Sequence, residues 1–586
     1  MDLHQVNRHI MKVALGAIKA DLVVKHGTIV NVLTGELIKD QDIAISKGWI
    51  AYIGNAEHTI GPSTEIINAE GKYISPGLID GHMHVESTML SVTEFSKVAL
   101  IKGITSIMMD PHEIANVFGV EGVRLMHEEG QRLPLKVFTT FPSCVPATDD
   151  LEDAGASLDV AQIQEGLTWE NVIGLGEVMN FPGVINGDAK MLGEIEATLK
   201  AKKTITGHFP DGTDQMLQAY IASGVTSCHE TVTREQGLEK LRLGVYVMIR
   251  EGSTWCDVKE VIKIVTEDKV RIDNILLVTD DVYPNTLVDK GHVNHVVRRA
   301  IEEGVRPIDA IQMATINVAR YFNLDHDIGS IALGRKADLI IMKDLSKVEP
   351  ETVISDGKVV VKKNKIIIDY PTFTYPPHIL DSVKVGKTLN RDHFLLKSRA
   401  NIGSTKVNVI KVIENSARTE KIQVELQVND GIIQPDIAND IITLACIDRH
   451  HQSGQISLGF AKGFQLKGGA VASTVAHDSH NLLVMGTNET DMAFAANKLV
   501  ETGGGMIVVK DGDVLGFVRM PIAGLMSDQP LEKVVKEVKR LDERWNELGC
   551  TMNAPFMTFS LIALTVIPDI RISNRGIVDV VEFKLI

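Results

Sequence analysis

Between residues 76 and 324, short apolar strands alternate with helical stretches, the pattern of parallel βα units. Eight strand candidates can be read: Ile74 to His84, Ile104 to Met109, Lys136 to Phe141, Val172 to Val178, Thr204 to His208, Val225 to His229, Val245 to Ile249 and Ile275 to Asp281. Eight repeats in about 250 residues match the size of a (β/α)8 TIM-like barrel, whose active site lies at the C-terminal ends of its strands. Reactive side chains should therefore be sought just after each strand.

The flanks have a different texture. From Asp21 to Ile67 the text is short alternating strands punctuated by turns, and a matching set returns at Gly334 to Met342 and Val353 to Val361. These pieces predict one discontinuous β-sandwich over residues 1–75 and 325–380, flanking a barrel over 76–324. A proline-rich stretch, Pro371 to Pro377, reads as a linker or extended tether. Beyond it, residues 381–586 mix strands (Lys421 to Val428, Met506 to Lys510, Val514 to Arg519) with helices (Asp491 to Thr502, Leu531 to Leu548), predicting an additional α+β domain. The fold class is thus α/β, and 586 residues are ample for several cores.

Composition narrows the function classes. A net charge of −16 disfavours broad binding to nucleic acid or anionic membranes and favours a small-molecule substrate. The five cysteines are scattered with no C-x-x-C pair, so neither a disulfide framework nor a thiolate zinc site is suggested. Ile10 to Ile18 reads as a short amphipathic helix because Lys12 and Lys19 interrupt it, and no run reaches the roughly 18 uncharged apolar residues of a membrane span. A cytoplasmic protein is the expectation.

His82 and His84, one residue apart on a strand, point to the same side and can reach one metal ion. Taken alone, such a pair is weak. Strand ends elsewhere supply Glu177, His208, His229 and Asp280. Singly, each has an innocent role as turn residue, buried histidine, surface carboxylate or helix cap. Together they place imidazoles and carboxylates on one rim, a set suited to Zn2+, Mn2+ or Fe2+ and large enough for two ions. Glu177 can bridge two cations, and a water shared between them becomes acidic enough to attack at neutral pH.

This arrangement, entered from Pro76-Gly77-Leu78-Ile79-Asp80, resembles the amidohydrolase superfamily, which also implies the flanking β-sandwich. Asp80 to Thr88, Asp110 to Val117 and the late Val475-Ala476-His477-Asp478-Ser479-His480-Asn481 narrow the resemblance to the bacterial-type adenine deaminase family, over nearly the whole chain. That family implies hydrolytic deamination of adenine to hypoxanthine and ammonia in purine salvage, with two divalent ions, manganese preferred over iron or zinc. By resemblance, His82 and His84 would hold one ion, His208 and His229 the other, and Glu177 would bridge them. Asp280 would bind metal and shuttle protons, chosen over Asp281 because it directly follows Thr279, as in the superfamily pattern; Glu177 and Asp280 are the expected catalytic residues. A related amidohydrolase acting on a cyclic amide or another aminopurine shares these ligands, and a non-catalytic scaffold would be expected to have lost some.

Candidates for reading the purine are Glu86, His112 and Glu113 near the first two strands and His477, Asp478 and His480 in the third domain. Asp110-Pro111-His112-Glu113 is either a loop over the barrel mouth or a proline-initiated turn. The polar run His477 to Asn481 behind Ala470-Val471-Ala472 is odd for a plain loop and is expected to close over the substrate. His292, His295, His450 and His451 read as surface or helix residues, and Gly503-Gly504-Gly505, lacking a phosphate-loop Lys-Ser/Thr, as a turn. A homodimer or higher homo-oligomer is the expected assembly.

Overall fold

A computed structural model of the chain describes residues 2–414 and 416–586. Five parallel strands run in the spatial order Thr204–Gly207, Val172–Val178, Lys136–Phe141, Ile104–Met109 and Leu78–Met83, and three more in the order Ser227–Cys228, Tyr246–Arg250 and Ile275–Val278. The two arcs meet on both sides. Thr226 N donates to Ile205 O at 3.1 Å, and Asp280 N donates to His82 O at 3.1 Å. The result is a TIM-like barrel with helices outside. Its strands Leu78–Met83, Ile104–Met109 and Val172–Val178 are buried along their whole lengths, as parallel strands covered on both faces are.

The first expected strand, Ile74 to His84, is two strands. Tyr73–Pro76 pairs with Leu339–Met342 and with Thr28 and Ile29, whereas Leu78–Met83 pairs with the barrel strand Ile104–Met109. Gly77 makes the transfer between sheets: a Cβ there would lie 2.1 Å from Thr105 Oγ1, so only glycine lets the chain pass so close. Through Tyr73–Pro76 the two flanking pieces join in one nine-stranded sheet.

The proline-rich stretch lies against the barrel instead of hanging free: Tyr370 Oη is 2.5 Å from Ser96 Oγ, and Tyr375 Oη donates to Glu129 Oε2 at 2.5 Å. Beyond it, a second nine-stranded sheet spans Gly403 to Arg519, with helix Glu489–Thr502 against its inner strands. Helix Leu531–Leu548 buries Val534, Val538, Leu541, Trp545 and Leu548, one stripe at alternating four- and three-residue spacing. Gly549 ends it in the left-handed region at φ 109°, a conformation that costs glycine little. The polar side of this helix docks on barrel helix Pro284–Asp289, where Asn285 donates to Asp542 at 3.0 Å and Lys539 pairs with Asp289 at 2.9 Å. The C-terminal region is thereby fixed over the barrel rim.

Candidate active site

All six rim residues expected from the strand ends converge at the C-terminal mouth of the barrel, and all are buried. Glu177, closing strand Val172–Val178, lies between the histidine pairs. Its Oε1 is 3.4 Å from His84 Nε2, while its Oε2 is 2.9 Å from His208 Nδ1 and 3.0 Å from His229 Nε2. Burial pushes the Glu177 carboxyl up, but hydrogen bonds from His208 and His229 outweigh it and hold the group well below the usual range. His82 stacks on His229 with ring centroids 4.2 Å apart.

The ring nitrogens are arranged for a cation. His84 Nδ1 is 3.0 Å from the carbonyl of Asp110, which makes it a donor there and leaves Nε2, facing Glu177 and Asp280, as the nitrogen a cation would meet. His208 Nδ1 and His229 Nε2 approach to 3.1 Å. Among the described residues His82 Nε2, on the rim, is buried with no hydrogen-bond partner, a costly state for an apo core. This donor set of four imidazoles around one carboxylate fits divalent ions bound by nitrogen and oxygen.

Asp280, just past strand Ile275–Val278, adopts φ 63°, a strained backbone for a non-glycine residue at a strand end. Its Oδ1 faces His84 Nε2 at 3.5 Å and His82 Nε2 at 3.8 Å, and its Oδ2 accepts from Arg250 at 2.9 Å. Burial would raise its carboxyl, but the His84 hydrogen bond and the Arg250 charge together hold it well below the usual range. Asp281 lines the same cavity beside His84 and Asp280 and accepts the Ser87 hydroxyl; burial and the neighbouring Asp280 push it up to about 6.

Arg250 was not anticipated. It ends strand Tyr246–Arg250, and its fork also binds Glu230 Oε2 at 2.9 Å and Asp257 Oδ2 at 2.8 Å. A signal was available, because Arg250 and Glu230 follow strand ends as the ligands do. A third layer lies beneath: Asp80 accepts from Thr279 Oγ1 at 2.6 Å and from His82 N at 3.2 Å. His292, expected on a surface or helix, stands at the start of helix Val293–Glu302 and is buried there, with Nε2 3.2 Å from Thr279 Oγ1.

The six residues expected to read the substrate divide. Glu113, His477 and Asp478 line the cavity beside the rim, together with Arg250, Trp255 and Met179. Ala417, Leu561, Leu564 and Ile567 of the C-terminal region form an apolar wall of the same cavity. Glu86, His112 and His480 stand behind it. Glu86 accepts from Ile114 N at 3.2 Å, and burial with help from Glu113 pushes its carboxyl up to about 8. His112 Nε2 is 3.5 Å from Asp478 Oδ2; burial lowers its pKa, but the Asp478 contact prevails and lifts it to about 9. His450 and His451 serve as braces, reaching the carbonyls of Ser479 at 2.7 Å and Ala154 at 2.9 Å. Gly503 caps helix Glu489–Thr502 in the left-handed region, and Gly505 opens strand Gly505–Lys510.

Residues 73–360 match the amidohydrolase family, and residues 416–584 match the adenine deaminase C-terminal domain. The chain is 48% identical over 585 residues to an adenine deaminase of Moorella thermoacetica, covering 100% of this chain and 98% of that protein. It is 46% identical over 579 residues to an adenine deaminase of Mesorhizobium japonicum, covering 98% and 96%. A β-aspartyl dipeptidase structure from Fervidobacterium islandicum aligns at a TM-score of 0.46 and 17% identity, over 59% of this chain and 97% of that one. With its rim of histidines and carboxylates under a cap of the matching C-terminal type, this chain belongs to the adenine deaminase family of metal-dependent amidohydrolases.

Proposed function

We propose that this protein converts adenine and water to hypoxanthine and ammonia, and that it serves purine salvage in the cytoplasm. The observation that carries the reading is the convergence of His82, His84, His208 and His229 around Glu177 beside a cavity that the C-terminal region closes. His82 and His84 would hold one divalent ion and His208 and His229 the other, with Glu177 between them; manganese is preferred, with iron or zinc also compatible. When bound, such ions supply an acidified water as nucleophile.

The remaining chemistry falls to the chain's own groups. Attack at adenine C6 breaks the ring's aromaticity and places electron density on a ring nitrogen, so protons must reach that nitrogen and the departing amine. Asp280 Oδ1, on the rim and held ionised, takes the proton of the attacking water and passes it on to the substrate. Arg250 on Oδ2 keeps that carboxylate oriented through the transfer. Glu113, His477 and Asp478 meet the purine edge, and the apolar wall of Leu561, Leu564 and Ile567 excludes water from its face. The three-domain division, with a sandwich over 1–75 and 325–380, a barrel over 76–324 and an α+β cap over 381–586, is part of this reading, as is a homodimer or larger assembly.

The test is direct. Protein loaded with Mn2+ should release ammonia from adenine, with the absorbance change to hypoxanthine, and should do so faster than with other aminopurines, adenosine or cyclic amides. Hydrolysis of a cyclic amide with adenine untouched would replace this reading by that of a sister amidohydrolase.

A further inference from the structure

The cluster Glu113, His477 and His480 has the composition and spacing of a third cation site. Its hydrogen bonds say otherwise. Ala476 N–H donates to His480 Nδ1 at 3.2 Å, so that nitrogen carries a lone pair and Nε2 carries the proton. Nε2 points at Glu113 Oε2, 2.5 Å away, as a donor and not as a lone pair awaiting a metal. The other carboxylate oxygen, Oε1, is 3.2 Å from His477 Nδ1. Each oxygen of Glu113 therefore faces one imidazole nitrogen, His480 Nε2–H by a hydrogen bond and His477 Nδ1 by an ion-pair contact that it shares with Asp478 Oδ1 at 3.7 Å, and Glu113 is paired without an ion.

His480 itself is locked. It is fully buried, its N–H bonds Ala476 O at 2.7 Å, and its carbonyl accepts from the guanidinium of Arg449. Arg449 is held in turn by Ser382 Oγ at 3.1 Å and Ala523 O at 3.0 Å. His477 differs: it lines the cavity, and once Nδ1 is committed to Glu113 its Nε2 is the nitrogen left for a ligand.

We propose that His480 is a positioning residue: its Nε2–H fixes Glu113, Glu113 fixes His477, and His477 Nε2 is thereby presented to the edge of the purine. The role rests on the adenine reading above. Burial lowers the His477 pKa, but Glu113 outweighs burial and lifts it well above its ordinary value, whereas for His480 burial prevails and lowers it.

The experiment compares His480→Leu and His480→Gln in the Mn2+-loaded enzyme, with adenine as substrate, counting metal per chain and recording melting curves. Loss of a hydrogen bond to a charged group predicts that His480→Leu raises KM about tenfold or more with kcat within about threefold. Metal should stay at the wild-type level of two ions. Glutamine, whose amide N–H can replace Nε2–H, should recover most of the KM. If the leucine chain does not fold, His480→Asn, which keeps an acceptor for Ala476 N–H but falls short of Glu113, provides the same split. An unchanged KM, a fall in kcat alone, or a third metal ion lost on substitution overturns the proposal. Wild-type protein inactive on adenine overturns the functional reading instead, and so the two failures are distinguishable.

Discussion

Two buried clusters of histidine and carboxylate stand on either side of one cavity, and only one of them is unfinished. At the barrel rim, four imidazoles crowd a single carboxylate, His208 Nδ1 and His229 Nε2 approach to 3.1 Å, and among the described residues His82 Nε2 has no hydrogen-bond partner. In the cap-side cluster, Glu113 has one imidazole on each oxygen, and His480 uses both ring nitrogens. The residue types are the same, so composition does not separate them. What separates them is donor and acceptor balance: a group that satisfies itself is a scaffold, and one with converging lone pairs needs a cation.

Chelation should break this comparison most visibly. Stripping metal with a strong chelator should abolish adenine turnover, and adding back Mn2+ should restore it with two ions per chain. His477→Asn should retain that stoichiometry while Glu177→Ala should lose it. Loss of metal from the His477 variant would show that the two clusters are one centre. Next in size, Asp280→Asn keeps the shape and removes the base, so kcat should fall about 10³- to 10⁴-fold with metal retained. A fall of less than tenfold would move the proton-transfer role to Asp281.

Arg250 tests how the rim is supported. It is buried among Glu230, Asp257 and Asp280, and removing one member of such a network leaves unpaired charge. Arg250→Met should lower stability by about 3–5 kcal/mol, read in urea unfolding. It should also cut kcat/KM by about 10- to 100-fold, since Asp280 loses its orienting partner. A variant as stable as the wild type would mean that the ligand carboxylates are satisfied by metal alone.

The unequal legibility of the two clusters has a physical origin. Strand ends advertise themselves: Ile104–Met109, Lys136–Phe141 and Val172–Val178 stand where the apolar runs put them, and a histidine or carboxylate after such a run falls on the rim. Gly77 was silent because an apolar run does not change its text when the chain changes sheets. Arg250 was passed over because a search for metal ligands looks for lone pairs, not for the cation that steers them. The pairing of Glu113 with His477 and His480 spans more than 360 residues and depends on how a domain docks, which local periodicity does not encode. Even so, the polar run His477 to Asn481 was conspicuous in the sequence; what it lacked was a partner.

The smallest effect lies where cap and barrel meet. Glu152 Oε1 accepts from Thr148 N–H at 3.1 Å and from Thr565 Oγ1 at 3.0 Å across the interface, while its buried Oε2 has no hydrogen-bond partner among the described residues. Burial, reinforced by Asp478, pushes its carboxyl up to about 7 from an ordinary 4.5. The folded state therefore binds the proton more tightly than the unfolded chain, and this group's contribution to stability is fully present below about 4.5 and lost as pH rises through about 7. A shift of that size corresponds to at most about 3–4 kcal/mol. Glu152→Gln, neutral at every pH, should match the wild type near pH 4.5 and be the more stable protein at pH 8, with the difference opening between those values in paired melting curves. Parallel curves would show that Glu152 is ionised in the folded protein throughout, and that the cap meets the barrel with a second charged carboxylate beside Asp478.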